Sequence, residues 1–208
     1  MSAQASIVFV VDDDPAMRVS LESLLRSVGY SVMHFESTRD FQRARRPDLP
    51  GCLILDVRLP GQSGLEFQRE FGRAAYPIVF ITGHGDVPMS VAAMKAGAIE
   101  FLTKPFRDQD LLDGVHRAIE FDRGQRTQAA VMAELRERAA TMTPRERQIL
   151  PLVAAGQMNK QIAHALQLSE ITVKVHRAQV MQKLGANTVA DLVRIADRVV
   201  AAERESQA

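Results

Sequence analysis

Five side chains in the first half of the chain, Asp12, Asp13, Asp56, Thr82 and Lys104, could act together in phosphoryl transfer. Carboxylates held close repel one another, so such a group needs a cation. Oxygen donors with no histidine or cysteine among them favour Mg2+, which takes one or two carboxylates and keeps positions for water and phosphate oxygens. A free oxygen of Asp56 could then attack a phosphoryl group as a nucleophile. Lys104 and Thr82 could hold the phosphoryl oxygens by charge and hydrogen bond.

Each of the five stands at the end of a strand-like run. Ile7–Val11 leads into Asp12-Asp13-Asp14, Cys52–Leu55 into Asp56, Ile78–Ile81 into Thr82, and Glu100–Leu102 into Thr103-Lys104-Pro105. Unbroken apolar runs of this length fit strands buried on both faces, as in a parallel sheet. Ser31–Phe35 reads as one more strand. Between the strands lie helical stretches. In the first, Val19, Leu21, Leu24, Leu25 and Val28 recur at helical spacing after Asp14-Pro15, and Gly29 stops it. The others are Arg39–Arg45, a helix near Leu65–Phe71, one from about Val87 to Ala96 stopped by Gly97, and one from Asp108 onward. Strands alternating with helices predict an α/β domain over 1–121, a five-stranded, doubly wound, flavodoxin-like parallel sheet. Right-handed crossovers bring every strand's carboxyl end to one edge, where ligands bind in such sheets.

A chain of 208 residues, 46% hydrophobic and 25% charged, has the composition of a globular protein of one large or two small domains. Its 26 basic and 25 acidic residues point to no partner, but their distribution does. Residues 1–121 hold 13 basic and 16 acidic side chains, and residues 143–208 hold 9 and 6, the asymmetry expected if only the second part meets nucleic acid. Cys52 is the single cysteine, so neither an intrachain disulfide nor a cysteine metal cluster can form, which fits a reducing cytoplasm. The amino terminus lacks the basic region of a signal peptide, and no apolar run approaches the roughly 18 residues of a membrane helix.

Residues 122–142 read as a largely helical linker extending the last helix of the first domain. Val131, Met132 and Leu135 form too short a stripe for a coiled coil, so a semi-rigid spacer is expected. Thr143-Pro144-Arg145-Glu146 is a capping box that opens a helix running to Ala155 and closed by Gly156. Pro151 inside it costs about 3 kcal/mol in a regular helix and predicts a bend or an early end. Asn159 reads as the cap of Lys160–Leu166, Ser169 of Glu170–Leu184 closed by Gly185, and Thr188 of a helix from Val189 to about Val200. Residues 143–208 are thus an all-α four-helix domain containing a helix-turn-helix. On the third of these helices Val173, Val180 and Leu184 share the core face. Lys174, Val175, Ala178 and Gln182 lie opposite, where lysine and an exposed valine suit a major groove.

The motifs Val11-Asp12-Asp13-Asp14, Leu55-Asp56-Val57-Arg58-Leu59-Pro60-Gly61, Ile81-Thr82-Gly83-His84-Gly85-Asp86 and Phe101-Leu102-Thr103-Lys104-Pro105-Phe106 resemble those of two-component receiver domains. The resemblance covers 1–121. It implies phosphorylation of Asp56 by a partner histidine kinase, and Mg2+ on Asp13, Asp56 and the Arg58 backbone carbonyl, with Asp12 supporting through water. It also implies a switch pair, Thr82 and Phe101, and a cis Lys104–Pro105 bond. Phe101 reads equally well as a core aromatic. Residues 143–200 resemble the LuxR-type DNA-binding domain of FixJ/NarL response regulators, carried by Thr143–Glu146, Gly156, Asn159-Lys160, Ile162-Ala163, Leu166, Ser169, Thr172-Val173-Lys174-Val175-His176, Met181, Lys183-Leu184 and Leu192-Val193. Ala178 stands where some relatives carry a base, so the nearer likeness is to FixJ and styrene-type regulators. That resemblance implies backbone contacts to promoter DNA by Lys160, Thr172 and Arg177. It implies homodimers through Val91 and Lys95 on the fourth helix and Val189, Leu192 and Val193 on the last, with RNA polymerase as a further partner. Two rival readings fare worse. A phosphatase or phosphotransferase working through an aspartyl phosphate needs a second acid/base carboxylate shortly after the nucleophile, where this chain has Arg58. A regulator acting independently of phosphorylation has no need of a complete pocket.

Overall fold

The computed structural model describes residues 5–71 and 76–205, and the chain divides into two compact units, Met1–Thr127 and Gln128–Ala208. In the first unit β1 (Ile7–Val11), α1 (Pro15–Ser27), β2 (Ser31–Phe35), α2 (Thr38–Arg43), β3 (Gly51–Asp56), α3 (Gly64–Phe71), β4 (Ile78–Thr82), α4 (Val87–Lys95), β5 (Glu100–Thr103) and the start of α5 (Asp108–Ala140) follow in order. The strands pair in the order β2-β1-β3-β4-β5, all parallel. The expected α/β architecture is present, with strand β3 central.

Period-two side-chain alternation divides the core into two layers. Phe9, Leu53, Leu55 and Phe80 pack on one face with Phe41 of α2, Phe67 of α3 and Ala93 of α4. Val8, Val10, Ile54, Val79 and Ile81 pack on the other with Leu21 and Leu25 of α1 and Leu111 and Val115 of α5. That second layer leaves Val19 and Val28 exposed, so only part of the apolar spacing of α1 serves the core.

The expected helical extension of the first domain's last helix is present, since α5 runs without a break to Ala140, and its two ends are anchored. Asp122 accepts a hydrogen bond from the Gly51 amide at 2.9 Å and pairs with Arg126 at 2.7 Å, and Arg126 also bonds Asp48. The stretch that reads as a polar spacer thus clamps α5 to the amino end of β3. At the other end of the same helix Leu135 and Ala139 are buried, with Met142, in the core of the second unit.

The second unit holds α6 (Pro144–Ala154), α7 (Asn159–Leu166), α8 (Glu170–Leu184) and α9 (Val189–Glu205). Its core joins Ile149, Val153, Ile162, Val173, Val180, Leu184, Leu192 and Ala196. The capping box at α6 is formed, with Thr143 N donating to Glu146 Oε2 at 2.7 Å and Glu146 N to Thr143 Oγ1 at 3.3 Å. Pro151 does not end the helix early. Its ring lies on the exposed side, where the lost amide donor costs least. Asn159 does not cap α7. Met158 stands at the cap position and its amide donates to Gln161 Oε1 at 2.8 Å, while Asn159 Oδ1 accepts from Arg177. Ser169 and Thr188 cap α8 and α9 as the sequence predicts.

Candidate functional site

The loop after β1 begins with a buried aspartate. Asp12 is fully enclosed, its Oδ1 accepting from Asp14 N at 2.9 Å. Asp14 Oδ1 caps α1 through Ala16 N at 2.8 Å. Arg18, one turn into α1, donates to the carbonyls of Asp12 at 2.7 Å and Asp13 at 3.0 Å and so fixes the loop. No motif pointed to Arg18, because its targets are backbone oxygens that any residue type supplies.

Asp56 closes β3 and is almost wholly buried. Its Oδ1 accepts from Arg58 N at 2.8 Å, and its Oδ2 from Lys104 Nζ at 2.6 Å. The exit from β3 turns back at once, with Gly64 N donating to Val57 O at 2.9 Å. A Cβ on Gly64 would stand 2.4 Å from the Asp56 carbonyl oxygen, so only glycine lets α3 approach β3 this closely.

Lys104 reaches across from the end of β5 and bridges two carboxylates, Asp56 and Asp12, the latter at 2.8 Å. The Lys104–Pro105 bond is cis. Burial raises the Asp12 carboxyl above its ordinary range, against the hydrogen bonds from Lys104 and the Asp14 amide. Burial also pulls the Lys104 ammonium down, but its bonds to Asp12 and Asp56 outweigh that and leave it above its ordinary value. Asp13 is exposed, and oxygens of Asp12, Asp13 and Asp56 all lie within 4.8 Å of one another. Such a group of oxygen donors fits a hard divalent cation.

Thr82 is buried at the end of β4, its hydroxyl accepting from His84 N at 3.3 Å. Phe101 on β5 is half-buried against Phe80, with ring centroids 6.1 Å apart. Gly85 separates the two expected switch residues: a Cβ there would meet Thr103 at 2.8 Å, Phe101 at 3.0 Å and Thr82 at 3.1 Å. All five side chains singled out by chemistry therefore meet at one edge of the sheet. Val91 is 44% exposed on α4, and Lys95 is exposed on the same helix.

In the second unit Val173, Val180 and Leu184 hold α8 to the core, and Lys174 and Val175 are exposed opposite. Lys160 is exposed near the start of α7. Thr172 is half-buried and its hydroxyl shares a hydrogen bond with Ser169 Oγ at 2.8 Å. Arg177 is half-buried, with Nη1 donating to Gln157 O at 3.1 Å and Asn159 Oδ1 at 3.0 Å. Its guanidinium thus ties α8 to the turn before α7. On α9 Val189 is 54% exposed and Val193 half-buried, but Leu192 is 0% exposed. Leu192 is a core residue that holds α9 in its own domain, and it leaves the expected dimer face.

A doubly wound sheet with an acidic strand-end pocket, followed by a helix-turn-helix, defines a signal-responsive DNA-binding protein. Residues 8–116 match the response regulator receiver domain, and residues 140–196 match the luxR family of bacterial regulatory proteins. Nodulation protein W of Bradyrhizobium diazoefficiens is 53% identical over 194 residues, which cover 92% of this chain and 86% of that protein. The low-resolution structure of response regulator StyR superposes with a TM-score of 0.77 at 46% identity, covering 94% of this chain and 100% of that one. Full-length FixJ from B. japonicum gives a TM-score of 0.56 at 40% identity, covering 96% and 99%. The chain belongs to the DNA-binding two-component response regulators of the FixJ/NarL type, a family of transcriptional regulators. No helix among the described residues is long and apolar enough to cross a membrane.

Proposed function

We propose that Asp56 accepts a phosphoryl group from a cognate histidine kinase in the cytoplasm, and that the modified chain binds promoter DNA as a homodimer. The observation that carries this reading is the bridge of Lys104 to two buried carboxylates, Asp12 and Asp56, beside exposed Asp13. An Asp56 carboxylate oxygen attacks phosphorus, the P–N bond to the donor imidazole breaks, and an acyl phosphate O–P bond forms. Lys104 then has phosphoryl oxygens within reach of its ammonium, and the Thr82 hydroxyl is a second donor for them. Mg2+ would be held by Asp13, Asp56 and the Arg58 backbone carbonyl, with Asp12 supporting through water. When bound it supplies positive charge against the phosphoryl oxygens. A hydroxyl drawn toward the phosphoryl group would change the space beside Gly85, which Thr82 and Phe101 both border, biasing two states of the domain.

The functional division follows the motifs: residues 1–121 receive the signal, 122–142 join, and 143–208 read DNA. Lys174 and Val175 meet base edges, and Lys160, Thr172 and Arg177 meet the phosphate backbone. Val91 and Lys95, with Val189 and Val193, serve the dimer, and RNA polymerase is the partner at the promoter. Acetyl phosphate with Mg2+ should label wild type at Asp56, EDTA should prevent it, and Asp56→Asn should take up no label. Undiminished labelling of that variant overturns the assignment. Sedimentation showing one mass with and without phosphorylation overturns the dimer.

A further inference from the structure

The exposed ridge of α8 is more apolar than a solvated helix face requires. Ile171 is 77% exposed and Val175 is 51% exposed. They stand four residues apart, hence side by side on one face of the helix. Ala178 and Gln182 continue the same ridge, exposed along its length, while Val173, Val180 and Leu184 take the opposite side into the core. Lys174 flanks the ridge and Lys160 is exposed on the preceding helix, and neither forms an ion pair among the described residues. A lone exposed apolar residue needs no explanation. A branched pair beside an exposed lysine, in the first two turns of the helix that follows the turn of a helix-turn-helix, is continuous with the surface that meets DNA.

We propose that Ile171 is a specificity-determining residue, which with Val175 reads the 5-methyl groups of thymines in the major groove. This rests on α8 being the DNA-reading helix. The chemistry selects the occupant. In the major groove thymine carries an apolar group, whereas guanine and adenine offer acceptors or donors that isoleucine cannot pair. Ile171 is the second residue of α8, and residues at the start of a recognition helix reach base edges. The ridge therefore selects thymine at the positions facing Ile171 and Val175, while Lys174 beside it selects guanine.

The test uses the full chain and a duplex selected from a random pool by the wild-type protein. Each thymine of that duplex is replaced in turn by deoxyuridine, which removes only the methyl group. Wild type should lose about four-fold in affinity at each thymine that is read, the worth of one buried methyl. Ile171→Ala should bind the parent duplex more weakly, yet show no further loss at one of those thymines. Val175→Ala should do the same at a different one. Ile171 is exposed and alanine is the better helix former, so the variant keeps its fold. If Ile171→Ala loses four-fold at every thymine that wild type reads, other side chains read the methyls and the proposal is overturned. If wild type is indifferent to all the replacements, or Ile171→Ala binds as wild type does, Ile171 does not read thymine and the proposal is again overturned. Lys174→Ala tests the underlying reading separately. Should it too bind as wild type, α8 is not the reading helix, whatever the thymine scan returns.

Discussion

Replacing Lys104 by methionine tests the electrostatics of the pocket directly. The ammonium lies 2.8 Å from Asp12 Oδ2 and 2.6 Å from Asp56 Oδ2, with side-chain exposures of 19% for Lys104, 0% for Asp12 and 9% for Asp56. An exposed ion pair would be worth about 0–1 kcal/mol, but removing one partner of a buried pair costs about 3–5 kcal/mol, because a charge stays enclosed without compensation. Lys104 is about one-fifth exposed, which places the loss toward the lower end, about 3 kcal/mol. For a unit of this size that is a fall on the order of 10 °C in its melting temperature. Two consequences separate this account from mere loss of packing. Burial already raises the Asp12 carboxyl, and without Lys104 it rises further. A carboxyl whose folded pKa exceeds its unfolded value binds its proton more tightly in the folded state. The deficit of the variant should therefore shrink as pH falls from the folded value of Asp12 in the variant to its lower, still raised, folded value in wild type. Mg2+ should also restore more stability to Lys104→Met than it adds to wild type, since it supplies the missing charge. Calorimetry of the full chain at several pH values, with and without Mg2+, measures all three. A variant within about 1 kcal/mol of wild type, with equal response to Mg2+, refutes the reasoning.

Gly64→Ala should lower stability by about 1–3 kcal/mol or more and slow acetyl phosphate labelling, because the added Cβ stands 2.4 Å from the Asp56 carbonyl; a melt and a labelling time course check both. Glu146→Ala removes an arm of the α6 capping box and the bond to Lys183 at 2.7 Å, and should destabilise the second unit by about 1–3 kcal/mol in a denaturant titration. Although burial works against its ionisation, the Lys183 and Thr143 hydrogen bonds hold the Glu146 carboxyl below its ordinary range. Its contribution is therefore present above the unfolded pKa and lost as pH falls through the folded one, so the gap between wild type and variant should close in acid. Lys160→Ala should flatten the salt dependence of DNA binding by about one unit with no change in melting. Arg177→Ala should do the same and also lower the melting temperature of the second unit, since its Nη1 holds Gln157 and Asn159.

The pocket was legible because its chemistry is coded by residue type at strand ends, and strand ends are marked by apolar runs that stop. Asp12, Asp56, Thr82 and Lys104 needed no knowledge of the packing to be grouped, only the rule that parallel strands share one carboxyl edge. What stayed hidden depends on backbone groups or on side chains reaching across the chain. Arg18 binds carbonyl oxygens, and Asp122 binds the amide of Gly51, 71 residues earlier, so neither contact leaves a local pattern. Asn159 has the residue type of a cap, but its carboxamide is taken by Arg177, and Gln161 supplies the capping oxygen one turn later. Leu192 shows the limit of assigning a surface by motif position. Its place in the family pattern suggested an interface, while helical spacing within α9 puts it with Ala196 and Val199 in the core.

Arg177 shows how geometry refines a role inferred from resemblance. A guanidinium carries five N–H donors in a fixed plane, and a lysine carries three on one atom. Both internal bonds of Arg177 come from Nη1, leaving Nε and Nη2 with three donors for a phosphate. One side chain can therefore hold the turn before α7 against α8 and keep donors for the backbone contact proposed for it. Burial lowers its pKa, which makes those internal acceptors necessary partners for a charge that is half-enclosed. Lys160 and Lys174 are exposed and have no such anchor among the described residues, so in the proposed complex each would have to be ordered on meeting DNA. The loss of side-chain freedom is then part of the binding free energy. Residues on the proposed DNA-binding surface would thus divide by the hydrogen-bonding capacity the fold has already used: Arg177 would arrive positioned, the lysines would become ordered on binding, and Ile171 and Val175 would need only exclude water.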